Sequence, residues 1–288
     1  MSDLSYVKAV ILGAVQGLTE FLPVSSSAHL VLAQKQLSLD PSSKTILLFD
    51  MLTHVGTLIA MAIVFGGALI RYLKRLASET SPGFSGSRLA WKFMLLGIAA
   101  TIPTGIIGVM FKDAFEASFD RPVQTGIELI ITGVLLAVTV RLPRGKKGWR
   151  EFGFLHAIVI GVAQSIAIFP GISRSGATIC TATYCGVRRR WAADFSFFIA
   201  TPAILGATVL MLKDAFELPK AELAGLPWGP MIAGSVVSML VGAWALWLLL
   251  KLVRRSRLHW FAPYCVLVGA LAMSGFFSQP WSLFSAIP

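Results

Sequence analysis

The chain has 288 residues, 56% of them hydrophobic and 14% charged, with a formal net charge of +11. An ordinary soluble domain carries roughly 25% charged residues, and with a mean hydropathy of +0.75 a soluble globule is excluded; the bilayer is the solvent for most of this chain. The positive charge does not mark a nucleic-acid partner, because Lys and Arg sit in short clusters between apolar runs rather than along one face.

No cleaved leader is expected at the N-terminus. Asp3 precedes Lys8, and the apolar run 9–15 passes into Gln16-Gly17-Leu18-Thr19-Glu20 instead of a small-residue cleavage site. Region 6–36 is long and apolar but is broken by Pro23-Val24-Ser25-Ser26-Ser27, and each half alone is short for a span. It reads as a re-entrant helix pair. Apolar runs at 46–70, 89–111 and 123–140 follow, each near the roughly 20 residues that cross a hydrocarbon core. Region 152–187 is a second re-entrant pair, broken by Pro170-Gly171-Ile172-Ser173-Arg174-Ser175, and spans at 195–212, 230–250 and 259–276 complete the chain. The expected fold is an all-α polytopic membrane protein with six full spans and two re-entrant helix pairs. Cys180, Cys185 and Cys265 lie in apolar sequence without His or Cys at metal spacing and read as buried small hydrophobes.

The loop charges set an orientation. Basic residues fall in 71–92 (Arg71, Lys74, Arg75, Arg88, Lys92), 141–150 (Arg141, Arg144, Lys146, Lys147, Arg150), 188–190 and 251–257, which should be cytoplasmic. Segments 37–45, 112–122 and 213–229 carry Asp40, Asp113, Glu116, Asp120, Asp214, Glu217 and Glu222 and should face outward. All basic segments share one side only if 6–36 enters and leaves from outside and 152–187 from the cytoplasm. That opposition predicts an inverted-topology repeat, with halves 1–145 and 146–288. A trace of it survives in Ile11-Leu12-Gly13-Ala14-Val15-Gln16 beside Val159-Ile160-Gly161-Val162-Ala163-Gln164. Non-helical backbone at membrane depth must line a cavity or be buried in protein, so the two broken loops should meet near the midplane and form the site.

The first loop offers Gln16, Glu20, Ser25, Ser26, Ser27 and His29. On a helix, Gln16 and Glu20 at i and i+4 share a face, and the serine turn is a candidate N-cap with backbone N–H groups for an anion. The second loop offers Ser173, Arg174 and Ser175, then Gly176 and Thr178. A charge such as Arg174 at membrane depth costs at least roughly 2.5–3.5 kcal/mol and must be compensated. A guanidinium fork between two hydroxyls suits phosphate oxygens; the alternative is a structural ion pair of Arg174 with Glu20. Thr19 and Thr178 are expected to bond backbone carbonyls. Asp50 and His54 are read as supporting groups behind the site, and Glu128, His156 and Asp194 as structural.

The stretch from Gln16 to His29, with its Glu-or-Gln, three residues, Glu pattern, and Pro170-Gly171-Ile172-Ser173-Arg174-Ser175-Gly176-Ala177-Thr178 together resemble the undecaprenyl-diphosphate phosphatase family of the bacitracin-resistance type. The likeness runs over the whole chain. It implies hydrolysis of undecaprenyl diphosphate to the monophosphate, recycling the cell-wall lipid carrier in the bacterial cytoplasmic membrane, with a divalent cation (Mg2+ or Ca2+) and a site open to the outer face. Carried over by motif position, Glu20, Ser26, His29 and Arg174 are the catalytic residues and Ser25, Ser27, Ser173, Ser175, Gly176 and Thr178 contact the substrate. Glu20 and Gln16 stand at the metal positions, and Gln16 departs from the Glu that many members have, leaving Glu20 the only first-loop acid. The nucleophile stays open between Ser26, His29 and a water activated by Glu20. The competing function is a polyprenyl-phosphate flippase, since inverted repeats with broken helices also build transporters. A homodimer also stays open, because Gly13-x-x-x-Gly17 permits close helix contact within the chain or between chains.

Overall fold

The computed structural model describes residues 4–77, 85–111, 114–115, 118, 121–142, 145–148, 151–216, 223–255 and 257–277. These form ten α-helices: α1 (Tyr6–Phe21), α2 (Ser26–Gln36), α3 (Lys44–Ala77), α4 (Ser85–Met110), α5 (Pro122–Val138), α6 (Phe154–Ile166), α7 (Arg174–Tyr184), α8 (Arg189–Phe216), α9 (Trp228–Arg254) and α10 (Ala262–Met273). Of the expected loop charges, Asp113, Glu116, Asp120, Arg144, Arg150, Glu217 and Glu222 lie outside the described residues.

Five helices, α3, α4, α5, α8 and α9, are long and apolar enough to cross a membrane. The sixth expected span, 259–276, differs from the expectation. A 3₁₀ turn at Leu258–Phe261 leads into α10, which has only 12 residues. Pro263 sits in the first turn of α10, and a proline, having no N–H, starts a helix far better than it continues one.

Both broken regions fold as two short helices around their prolines. The residue before Pro23, Leu22, is extended at φ −63°, ψ 145°, as the proline ring demands of its predecessor; α1 therefore stops at Phe21 and α2 starts at Ser26. The second region does the same between α6 and α7, with Ser173 as the N-cap of α7. Helices of 16 and 11, then 13 and 11 residues are all short of a span.

Glycine and serine let the helices close on one another. A Cβ on Gly13 of α1 would land on the Gly234 carbonyl of α9, and one on Gly161 of α6 would land on the Ala100 carbonyl of α4. Gly13 and Gly161 hold matching places in the two similar hexapeptides. Gly17 meets Ser238 and Gly242 of α9, so the Gly13-x-x-x-Gly17 stripe is used within the chain and is not the face of a dimer. On α9, Ser235 and Ser238 donate to the carbonyls of Leu52 and Thr53 at 2.6 and 2.9 Å, which locks α3 beside α1. Phe21, one residue beyond Glu20, packs edge-on to Phe197 of α8 at 6.1 Å and fixes the end of α1.

Gly13→Leu is expected to cost about 3 kcal/mol, the upper end for overpacking, because backbone rather than a mobile side chain stands in the way. The melting temperature of detergent-solubilised protein reads this directly. An unchanged value would show that α1 moves off α9 freely.

Candidate active site

The centre is assembled on one carboxylate. Glu20 lies in the last turn of α1, its side chain 4% exposed. Gln16, one turn earlier, donates from Nε2 to Glu20 Oε2 at 3.0 Å, as the shared helix face requires. The Ser26 hydroxyl, at the start of α2, donates to the same oxygen at 2.6 Å. From the second broken region Arg174 donates to Oε1 at 2.5 Å. The two oxygens are thus specialised, Oε1 toward the guanidinium and Oε2 toward hydroxyl and amide protons. A buried carboxylate is tolerable only when paired and hydrogen-bonded in this way.

The two broken turns meet, as the sequence led one to expect. Ser25 donates from Oγ to the Pro170 carbonyl, Ser175 Oγ donates to the Leu22 carbonyl at 3.3 Å, and Gly176 stands against Pro23. Ser25 is the N-cap of α2, but no side-chain bond caps that helix, because its hydroxyl is spent on the other turn. Its φ of 68° lies in the left-handed region that costs a non-glycine residue of order 1 kcal/mol. The junction of the two turns holds it there. Ser27, half-buried, makes no side-chain hydrogen bond among the described residues.

The hydroxyls of the second motif hold its loop. Ser173 Oγ accepts from Gly176 N–H at 3.1 Å and lies 3.3 Å from Ser175 Oγ. Thr178 donates to the Arg174 carbonyl at 2.8 Å, and Thr19 to the Val15 carbonyl at 2.7 Å, the backbone role expected of both. Glu128 is structural too: its Oε2 accepts the Gly171 N–H at 2.9 Å, while Thr132 donates to the Gly171 carbonyl and accepts from Ser173 N–H, each at 3.1 Å. A Cβ on Gly171 would overlap Glu128, so only glycine lets the loop seat on α5. Among the described residues the guanidinium of Arg174 bonds Glu20 alone, with its side chain 21% exposed.

The histidines are arranged otherwise than the sequence suggested. His29 Nδ1 lies 2.7 Å from the Ser25 carbonyl, so Nδ1 carries the proton, and Nε2 accepts from the Tyr264 hydroxyl at 2.8 Å. Neither nitrogen is turned to Glu20. His54, by contrast, points Nε2 at Glu20 Oε2, 3.6 Å away, with Nδ1 on the Asp50 carbonyl at 2.8 Å. The Asp50 carboxylate accepts twice from Gln34 Nε2, at 2.8 and 3.0 Å. His54 therefore reaches the centre itself, which its place on α3 did not reveal. Tyr264 was not legible at all: it lies 235 residues from His29 and belongs to no motif.

Oxygen donors that suit a hard cation are present but few. No group of three or more His, Cys, Asp or Glu that could hold a metal occurs among the described residues. Glu20 and Ser26 adjoin each other, and among the described residues the buried Gln16 Oε1 has no partner. One carboxylate, an amide oxygen and a hydroxyl match the way Mg2+ is held when substrate phosphates supply the remaining ligands.

A family model described as Bacitracin resistance protein BacA matches residues 9–271. An undecaprenyl-diphosphatase of Carboxydothermus hydrogenoformans is 45% identical over 263 residues, covering 91% of this chain and 94% of that protein. Another of the same name, from Alkaliphilus metalliredigens, is 39% identical over 271 residues, covering 92% and 97%. A third, from Methanosphaera stadtmanae, is 35% identical over 283 residues, covering 94% and 98%.

Proposed function

Because the chain belongs to the family of the bacitracin resistance protein BacA, we propose that it is an undecaprenyl-diphosphatase, a multi-pass membrane enzyme that hydrolyses undecaprenyl diphosphate to undecaprenyl phosphate and inorganic phosphate. Its relatives carry that name along nearly their full length. The observation that carries the chemistry is the joint hold on Glu20 by Ser26 from one broken turn and Arg174 from the other.

Phosphoryl transfer asks for positioning and charge stabilisation more than for covalent machinery. Arg174 supplies a planar cation for the diphosphate oxygens, and Glu20 is its partner until the substrate arrives. Ser26 is poised as the nucleophile, its proton already directed at Glu20 Oε2. As Ser26 Oγ bonds to the terminal phosphorus, the anhydride bond to the inner phosphate breaks, undecaprenyl phosphate leaves, and the hydroxyl proton passes to Glu20. Glu20 hands that proton to the departing undecaprenyl phosphate; water then attacks the phosphoserine and gives a proton to the freed carboxylate, which returns it to Ser26 Oγ as the serine–phosphorus bond breaks and inorganic phosphate is released. Glu20, Ser26 and Gln16 Oε1 would hold a divalent cation, which when bound neutralises phosphate charge.

The inverted repeat belongs to this reading. It is supported by the matched glycine contacts of α1 with α9 and of α6 with α4, and by the serine that stands at the N-cap position after each of the two breaks. The basic segments, which the positive-inside rule assigns to the cytoplasm, fit a membrane enzyme whose site opens to the outer face of the bacterial cytoplasmic membrane. A flippase would need the arginine but not a hydroxyl bonded to a buried base.

Detergent-purified protein is expected to release phosphate from undecaprenyl diphosphate, and EDTA to abolish that release, with recovery on adding Mg2+ or Ca2+. Folded protein that releases no phosphate yet moves the lipid between the leaflets of a vesicle would establish the carrier instead.

A further inference from the structure

Beside the catalytic centre an apolar groove runs between α1, α2 and α10. Ile11, Val15, Leu32, Ala33 and Val268 line it, and His29 and Tyr264 share its wall. No Asp, Glu, Lys or Arg lines it. The groove neighbours the centre along α2, where Ser26 and His29 lie three residues apart, about 5 Å along the helix axis. A ligand with its charged end at Ser26 and Arg174 and an apolar chain on the adjoining carbon lays that chain here.

The Tyr264–His29 contact stands between groove and centre. With Nδ1–H committed to the Ser25 carbonyl, Nε2 is the ring's one basic atom, and the Tyr264 hydroxyl covers it at 2.8 Å. The two rings lie nearly parallel, 10° apart with centroids at 5.6 Å. Tyr264 is also 44% exposed, so its ring is a wall that an occupant can press on rather than a piece of sealed core.

We propose that this groove receives the polyprenyl chain beyond its first isoprene unit, and that Tyr264 is a positioning residue which releases His29 Nε2 toward the reacting phosphate when the groove is filled. This rests on the diphosphatase reading above. A tail packed against the tyrosine ring displaces it, the hydroxyl leaves Nε2, and the freed nitrogen, which carries no proton, accepts a hydrogen bond from the attacking water beside the phosphate. A diphosphate with little or no tail leaves the groove empty and His29 capped. The enzyme would then distinguish a lipid diphosphate from a water-soluble one by whether its own histidine is uncovered, in addition to how tightly each binds.

The test measures kcat and KM for phosphate release from undecaprenyl diphosphate and from isopentenyl diphosphate, in wild type, Tyr264→Phe and Ala33→Trp. Tyr264→Phe keeps the ring and removes the hydroxyl. It is expected to raise kcat on the five-carbon substrate about tenfold while changing kcat on the long one less than about threefold, a compression of selectivity equivalent to roughly one factor of ten. Ala33→Trp occupies the groove, and is expected to raise KM for the long substrate about tenfold. Equal losses on both substrates in Tyr264→Phe, the signature of a merely structural hydroxyl, would overturn the proposal, as would an unaltered ratio or an indifferent Ala33→Trp. Wild type that fails on the long substrate would overturn the diphosphatase reading itself.

Discussion

Arg174→Ala is expected to lower kcat/KM for undecaprenyl diphosphate by roughly 10³–10⁵-fold, the range an arginine commands in phosphoryl transfer. The guanidinium is the cation that both broken turns have been folded to present, reaching Glu20 Oε1 at 2.5 Å. Truncation also strands a buried carboxylate, and breaking such a pair from one side typically destabilises by about 3–5 kcal/mol. Lost turnover alone would therefore be ambiguous. The double variant Glu20→Gln/Arg174→Ala resolves it, since neither partner is then left charged. Its melting temperature should return toward wild type while phosphate release falls well below that of Glu20→Gln alone. If stability returns and release equals that of Glu20→Gln alone, Arg174 is a brace and not a phosphate ligand. Arg174→Lys keeps the charge without the fork and should recover only part of the rate.

Glu20→Gln should remove about 10²–10⁴-fold from kcat, the usual contribution of a general base, with a much smaller change in KM. The amide is nearly isosteric and can still accept from Ser26, but it cannot take the proton. Gln16 does not replace it, for the amide there already donates to Oε2 at 3.0 Å. Near-normal turnover in purified Glu20→Gln would remove Glu20 from the chemistry and leave it as the partner of Arg174. A loss confined to KM would assign it to binding.

Both motifs were legible because proline, glycine and serine write their geometry locally. Pro23 forces Leu22 into extended backbone, the α1 periodicity puts Gln16 and Glu20 on one face, and Gly171 alone fits on α5. That the two turns touch followed from the physics of lipid, which leaves irregular backbone no partner except protein. What stayed hidden was set by side chains meeting across the bundle. The serine turn looked like a helix cap, and the Ser25 hydroxyl instead bonds Pro170; that His29 faces Tyr264 could not be read from either motif. His54 had been placed behind the site, and only the packing of α3 on α9 through Ser235 and Ser238 swings it onto Oε2. The shortness of α10 was in principle readable from Pro263, but apolar composition across 259–276 outweighed one residue.

The salt bridge at the centre also imposes an order on biogenesis. Glu20 emerges from the ribosome 154 residues ahead of the arginine that neutralises it, which at roughly 5–20 residues per second is a wait of about 8–30 seconds. Through that interval Glu20 has Gln16, Ser26 and His54 of its own half but not the arginine, and Ser25 has no Pro170 to hold it in its left-handed backbone. The early helices therefore cannot settle into their final arrangement as they leave the insertion machinery. They wait, protonated or sheltered, until the second half arrives, and the centre closes as one of the last events in assembly.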